Sequence, residues 1–106
     1  MHIKPGVDFS RLEPEIVSAL WKASEIYERH GHIMTLTSGR EKADGRKKNS
    51  KHPQGLAADV RTRNLPGALH KKILDEIKAA LGPQYYLMLK ATPEPHIHIH
   101  FNGISP

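Results

Sequence analysis

Six residues in the last tenth of the chain, His96-Ile97-His98-Ile99-His100-Phe101, alternate imidazole with apolar side chains, and that period of two belongs to a β-strand. Successive side chains of a strand point to opposite faces, so three histidines share one face while Ile97, Ile99 and Phe101 enter a core. A helix would scatter both sets around its circumference. The fold must therefore contain a sheet with one packed face and one face carrying imidazoles.

The remaining pattern supplies what packs on that sheet. Leu12, Ile16, Leu20, Ala23 and Tyr27 recur at helical spacing, with Pro14 near the first turn and Gly31 as a stop, which predicts a helix from about Glu13 to His30. Val17 and Trp21 lie beside its apolar stripe. Ile33 to Ser38 is short and β-branched and reads as a strand ended by Gly39. Leu56 to Thr62 reads as a second strand, with Ala57, Asp59 and Arg61 on one face and Leu56, Ala58 and Val60 on the other. After a turn at Asn64, Pro66 and Gly67, Leu69, Ile73, Ile77 and Leu81 predict a second helix that stops at Gly82 and Pro83. Tyr85 to Leu89 reads as a strand, and Thr92-Pro93-Glu94-Pro95 makes a stiff bend before the histidines.

A length of 106 residues leaves room for one domain with a single core, and the apolar fraction of 38% and charged fraction of 25% are those of a globular protein. No stretch is long and apolar enough to span a membrane, and Met1 is followed by His2, Ile3, Lys4 and Pro5 rather than by the apolar run of a secretory signal. The net charge of +5 favours an anionic partner: nucleic acid, an acidic wall polymer or a membrane surface. Six basic residues fall between Arg40 and Lys51 against Glu41 and Asp44, and this stretch reads as an exposed loop, either merely solvated or a basic lip that attracts acidic substrate groups.

Imidazole is the commonest protein ligand for zinc, and the absence of cysteine leaves His, Asp and Glu as candidate donors. A catalytic zinc takes three protein ligands and keeps a fourth position for water. His52, Asp59 and one of the late histidines supply such a set. Gly55 permits a turn between a loop ligand at position 52 and a strand ligand at 59, while Pro53 and Gly55 oppose the helical arrangement in which two histidines flank a glutamate.

The run Ser50, His52, Gly55, Ala57, Asp59, followed by a His-x-His strand, resembles the zinc D-alanyl-D-alanine carboxypeptidase and L-alanyl-D-glutamate endopeptidase family of peptidoglycan peptidases. That family shares its metal framework with lysostaphin-type peptidases and the hedgehog signalling domain, and many short members are phage or prophage lysis proteins. The resemblance covers Thr37 to Phe101. It implies an α+β fold, a small antiparallel sheet with two main helices packed on it, making residues 1–106 one zinc peptidase-like domain. Zinc is then held by His52, Asp59 and the second histidine of a His-x-His pair. That ligand is His98 if the pair is His96 and His98, or His100 if it is His98 and His100. Short phage-type members carry a glutamate where this chain has His100, which favours His98.

The family also places a general-base carboxylate shortly before the last zinc ligand, often three residues ahead. Here that position is Pro95, so the role passes to the nearest acid, Glu94, or to His96. Arg40 matches a family arginine that contacts substrate and transition state, work suited to a guanidinium that stays charged and donates two hydrogen bonds. Ser50 binds a substrate carboxylate or caps the loop backbone. The implied activity is metal-dependent hydrolysis of an amide in the peptidoglycan stem or cross-link. The protein is expected to be made in the cytoplasm and to act on the bacterial wall, during lysis or from the virion at entry. Three rivals remain: a zinc-stabilised binding or virion assembly domain without catalysis, a nucleic-acid binder, and a fold in which the late histidines are merely satisfied strand residues while His52 and Asp59 share a loop hydrogen bond. The second is disfavoured, because the basic residues are not interleaved with aromatic ones.

Overall fold

The computed structural model describes residues 1–39 and 55–103. Its elements run β1 (His2–Ile3), α1 (Pro14–Arg29), β2 (Thr35–Ser38), β3 (Ala57–Arg61), α2 (Gly67–Leu81), β4 (Tyr85–Lys90) and β5 (His96–Phe101). The strands form one sheet in the order β1-β2-β3-β5-β4. The fold is α+β with two helices, and β2, β3, β5 and β4 pair antiparallel as expected. The sheet is nevertheless mixed, because β1 adds to β2 in parallel, His2 opposite Thr35 and Ile3 opposite Leu36. A two-residue strand leaves no periodicity in a sequence, which is why β1 is absent from the pattern above.

Helix α1 begins at Pro14, whose fixed φ and missing N–H suit a first helical position, and it buries Ile16, Ala19, Leu20, Ala23, Ile26 and Tyr27 along one stripe. Trp21, on another side, is 53% exposed. Helix α2 buries Ile73, Leu74 and Ile77 and ends at Gly82, where φ is +85°. Both helices meet the sheet face formed by Leu36, Ala58, Val60, Leu87, Ile97 and Ile99, and these side chains make one core. Ile97 and Ile99 are fully buried, each contributing about 1.5–3 kcal/mol by burial, so the apolar half of the alternating run holds the histidine strand in place. Strand β2 is shorter than its β-branched run suggests: Ile33 lies outside it and is 56% exposed.

Among the described residues no helix is long and apolar enough to cross a membrane. Tyr27 ties the first helix to the sheet, its buried hydroxyl donating to the carbonyl of Arg61 at 2.8 Å. Burial raises the pKa of that phenol, which keeps it protonated and a hydrogen-bond donor.

Candidate metal centre

The face of the sheet opposite the core is set by strand register. His98 lies directly across from Asp59, His96 from Arg61 and His100 from Ala57 on β3; on the other flank, Met88 faces His98, Tyr86 faces His100 and Lys90 faces His96. Directly opposed residues of an antiparallel pair share a face, so carboxylate and imidazoles are gathered by backbone pairing before any side-chain preference acts. Asp59 and His96 are 3% and 5% exposed, well within the molecule, whereas Tyr86 and Met88 stand open to solvent. The pairing of β2 with β3 slips by one residue between Leu36 and Ser38, an irregularity beside Asp59, and Thr37 between them lines the same site.

Asp59 is the centre of the cluster. Its Oδ1 accepts a hydrogen bond from His98 Nδ1 at 3.0 Å, and its Oδ2 lies 3.9 Å from His96 Nε2. His98 continues through Nε2 to His100 Nδ1, also at 3.0 Å. Tyr86 stacks on the His100 ring, centroids 4.8 Å apart and planes 24° from parallel. His96 Nδ1 meets the carbonyl oxygen of Glu94 at 2.7 Å. A carbonyl only accepts, so this nitrogen carries the proton, and in the neutral imidazole Nε2, the atom facing Asp59, holds a lone pair.

The Glu94 carboxylate is engaged elsewhere. Arg61 Nε donates to one oxygen at 2.9 Å and Arg63 contacts the other at 3.1 Å. The Arg61 hydrogen bond, with the charges of Arg61, Arg63 and Lys4 behind it, holds this carboxyl below the ordinary glutamate range. A chain of support follows: Tyr27 fixes the Arg61 backbone, the Arg61 side chain fixes Glu94, and the Glu94 carbonyl fixes the His96 tautomer. A cavity of about 220 Å³ opens beside these groups, lined by Lys4, Thr37, Asp59, Pro93, Glu94 and His96.

Asp59, His96, His98, His100 and Glu94 thus come together, while Arg40, Ser50 and His52 lie outside the described residues. Among the described residues no three His, Cys, Asp or Glu side chains form a group placed to hold a metal ion. The pair Asp59–His98 fits part of such a site: two donors at 2.0–2.2 Å from a tetrahedral zinc lie about 3.4 Å apart, a few tenths more than the present 3.0 Å. Among the described residues no third donor completes a metal group with this pair, and the resemblance gives that place to His52.

Lys4 and Thr37 at the cavity and Tyr86 over His100 are contributions that local sequence reasoning misses. The alternation of Tyr86 and Met88 with buried Leu87 carries the signal for the last of these, once β4 is taken as the neighbour of β5. Lys4 carries none, because it reaches the site only through β1. Comparisons with protein-family models, with curated proteins and with solved structures find no match. The resemblance stated above rests on its motif residues alone.

Proposed function

We propose that the protein is a zinc-dependent amide hydrolase acting on the peptide of peptidoglycan, as a phage or prophage lysin. One observation carries the reading: Asp59 and His98, the two motif residues that the resemblance assigns to zinc within the described chain, are direct cross-strand partners with donor atoms 3.0 Å apart. His52 would complete the set. When bound, zinc acts as a Lewis acid, polarising an amide carbonyl and making water deprotonable near neutral pH.

The chain's own residues divide the remaining work. His96 is the better proton acceptor, since its Nδ1–H is committed to the Glu94 carbonyl and its Nε2 lone pair faces Asp59. Glu94 is a weaker base than an isolated glutamate and serves instead to anchor the bend that holds His96. Arg40 would hold the developing oxyanion, and Ser50 or the basic stretch around it the substrate carboxylate. The cavity bounded by Lys4, Thr37 and His96 offers room for a small side chain or carboxylate beside the reacting bond.

The Glu94 ion pairs also favour a second reading, a zinc-stabilised binding or virion assembly domain without turnover, because they occupy the acid nearest the site. Incubating the zinc-loaded protein with purified peptidoglycan and identifying products by mass separates the two. Metal-dependent release of D-alanine or of a defined peptide, lost in His52→Ala and on chelation, is the result expected of the hydrolase. Stoichiometric zinc with no product on several wall chemotypes would leave the binding domain.

A further inference from the structure

His100 is the histidine of the strand for which the proposed reaction has no use, yet its surroundings are built. Its Nδ1 lies 3.0 Å from His98 Nε2, its ring meets that of His98 edge-on at 5.1 Å, and Tyr86 covers its face in a near-parallel stack. Among the described residues, His98 and Tyr86 together orient this half-buried ring. The directions of these contacts explain what the orientation is for.

With no metal between them, His98 Nδ1–H donates to the Asp59 carboxylate at the observed 3.0 Å, and the neutral tautomer then presents a lone pair at Nε2 that accepts from His100 Nδ1–H. A metal shared between Asp59 and His98 needs the lone pair of Nδ1. The proton of His98 must then sit on Nε2, where it donates to His100 Nδ1, which becomes an acceptor while His100 carries its own proton on Nε2. Two protons change nitrogen and the number of bound protons is unchanged, so the only charge added to the site is that of the metal ion itself. Hydrogen-bonded partners of this kind fix the tautomer and ring plane of a metal-bound histidine, and their loss typically weakens metal binding 10–100-fold.

We infer that His100 is a positioning residue for the metal ligand His98, taking the Nε2–H hydrogen bond of the metal-bound tautomer while Tyr86 holds its ring in the required plane. This rests on the metal reading above and goes beyond it, since it separates the two histidines of the second His-x-His pair into ligand and support.

The test is zinc affinity at fixed pH, by competition with a chromogenic chelator, together with the visible spectrum of the cobalt-substituted protein. Wild type is compared with His98→Ala, Asp59→Asn, His100→Phe and His100→Asn. Phenylalanine keeps the stack on Tyr86 and removes the acceptor; asparagine keeps an acceptor oxygen near the place of Nδ1. The expected result is a loss of about 10–100-fold in His100→Phe, affinity within about threefold of wild type in His100→Asn with its cobalt bands retained, and near-complete loss in His98→Ala. Wild-type affinity in His100→Phe, with binding still lost in His98→Ala and Asp59→Asn, overturns the role of His100 and leaves the metal reading standing. Loss in His100→Phe as complete as in His98→Ala makes His100 a ligand and overturns the inference. Absence of zinc binding by wild type overturns both. Should His100→Phe not fold, His100→Leu takes its place as the variant without an acceptor: a loss of about 10–100-fold beside a near-wild-type His100→Asn supports the role, and wild-type affinity in both refutes it.

Discussion

Glu94 and His96 stand two residues apart and are held by opposite means, one by its side chain and the other through its neighbour's backbone. Glu94 pairs with Arg61 and Arg63 through its carboxylate and orients His96 through its carbonyl, so replacing the carboxylate need not disturb the imidazole. Because the folded-state pKa of Glu94 is depressed, its ion pairs contribute stability that is fully present above about pH 4.3, the unfolded value, and is lost as pH falls through the lower folded value. Glu94→Gln is therefore expected to be less stable than wild type at pH 6, with the difference shrinking as pH falls below about 4, by thermal melts across that range. At neutral pH the same variant should keep zinc and most of its turnover, whereas His96→Ala should keep zinc and lose about 100-fold or more in kcat on peptidoglycan. A larger loss in Glu94→Gln than in His96→Ala would return the base to the carboxylate. The sequence marks both residues as candidates but does not rank them. The ranking comes from Arg61 and Arg63, whose reach across the sheet to position 94 has no local signature.

The elements show where a sequence is legible and where it is not. Alternation in β5 and helical spacing in α1 and α2 are local periodicities, and the burial of Ile97, Ile99, Ile16, Leu20, Ile73 and Ile77 follows them. Asp59 on the face of Arg61 is likewise readable within β3. What is not readable is which strands adjoin: the insertion of β5 between β3 and β4, which sets His98 against Asp59 and Tyr86 against His100, is a long-range choice. Gly55 illustrates the same division. A turn glycine is legible there, and its φ is +74°; but a Cβ at that position would also lie 2.7 Å from the carbonyl oxygen of Arg11, and the Gly55 carbonyl accepts from the Glu13 N–H at 2.9 Å. The entry to α1 and the entry to β3 are thus packed backbone to backbone. Gly55→Ala should cost about 2 kcal/mol, lowering the melting temperature by roughly 10 °C, and should weaken zinc binding by displacing the strand that carries Asp59. An alanine variant that melts like wild type would show that this contact is readily relaxed.

At the scale of the molecule, the site joins parts of the chain that are far apart in sequence: Lys4, Thr37, Asp59, Glu94 and the strand from His96 to Phe101. Metal that binds this folded arrangement and not the open chain stabilises the whole fold, by about 2.7 kcal/mol at a free concentration 100 times the dissociation constant. Added zinc should accordingly raise the melting temperature of the wild-type protein reversibly on chelation, and leave that of Asp59→Asn and His98→Ala unchanged; equal shifts in all three would mean that zinc acts elsewhere. The position of β5 carries a further consequence for how such a protein comes into being. The last of the described strands in sequence is not an edge but the bridge between β3 and β4, so until it pairs the sheet is in two pieces and His98 does not stand opposite Asp59. The sheet therefore cannot be joined into one, nor Asp59 and His98 brought together, before the residues from His96 onward are available to pair.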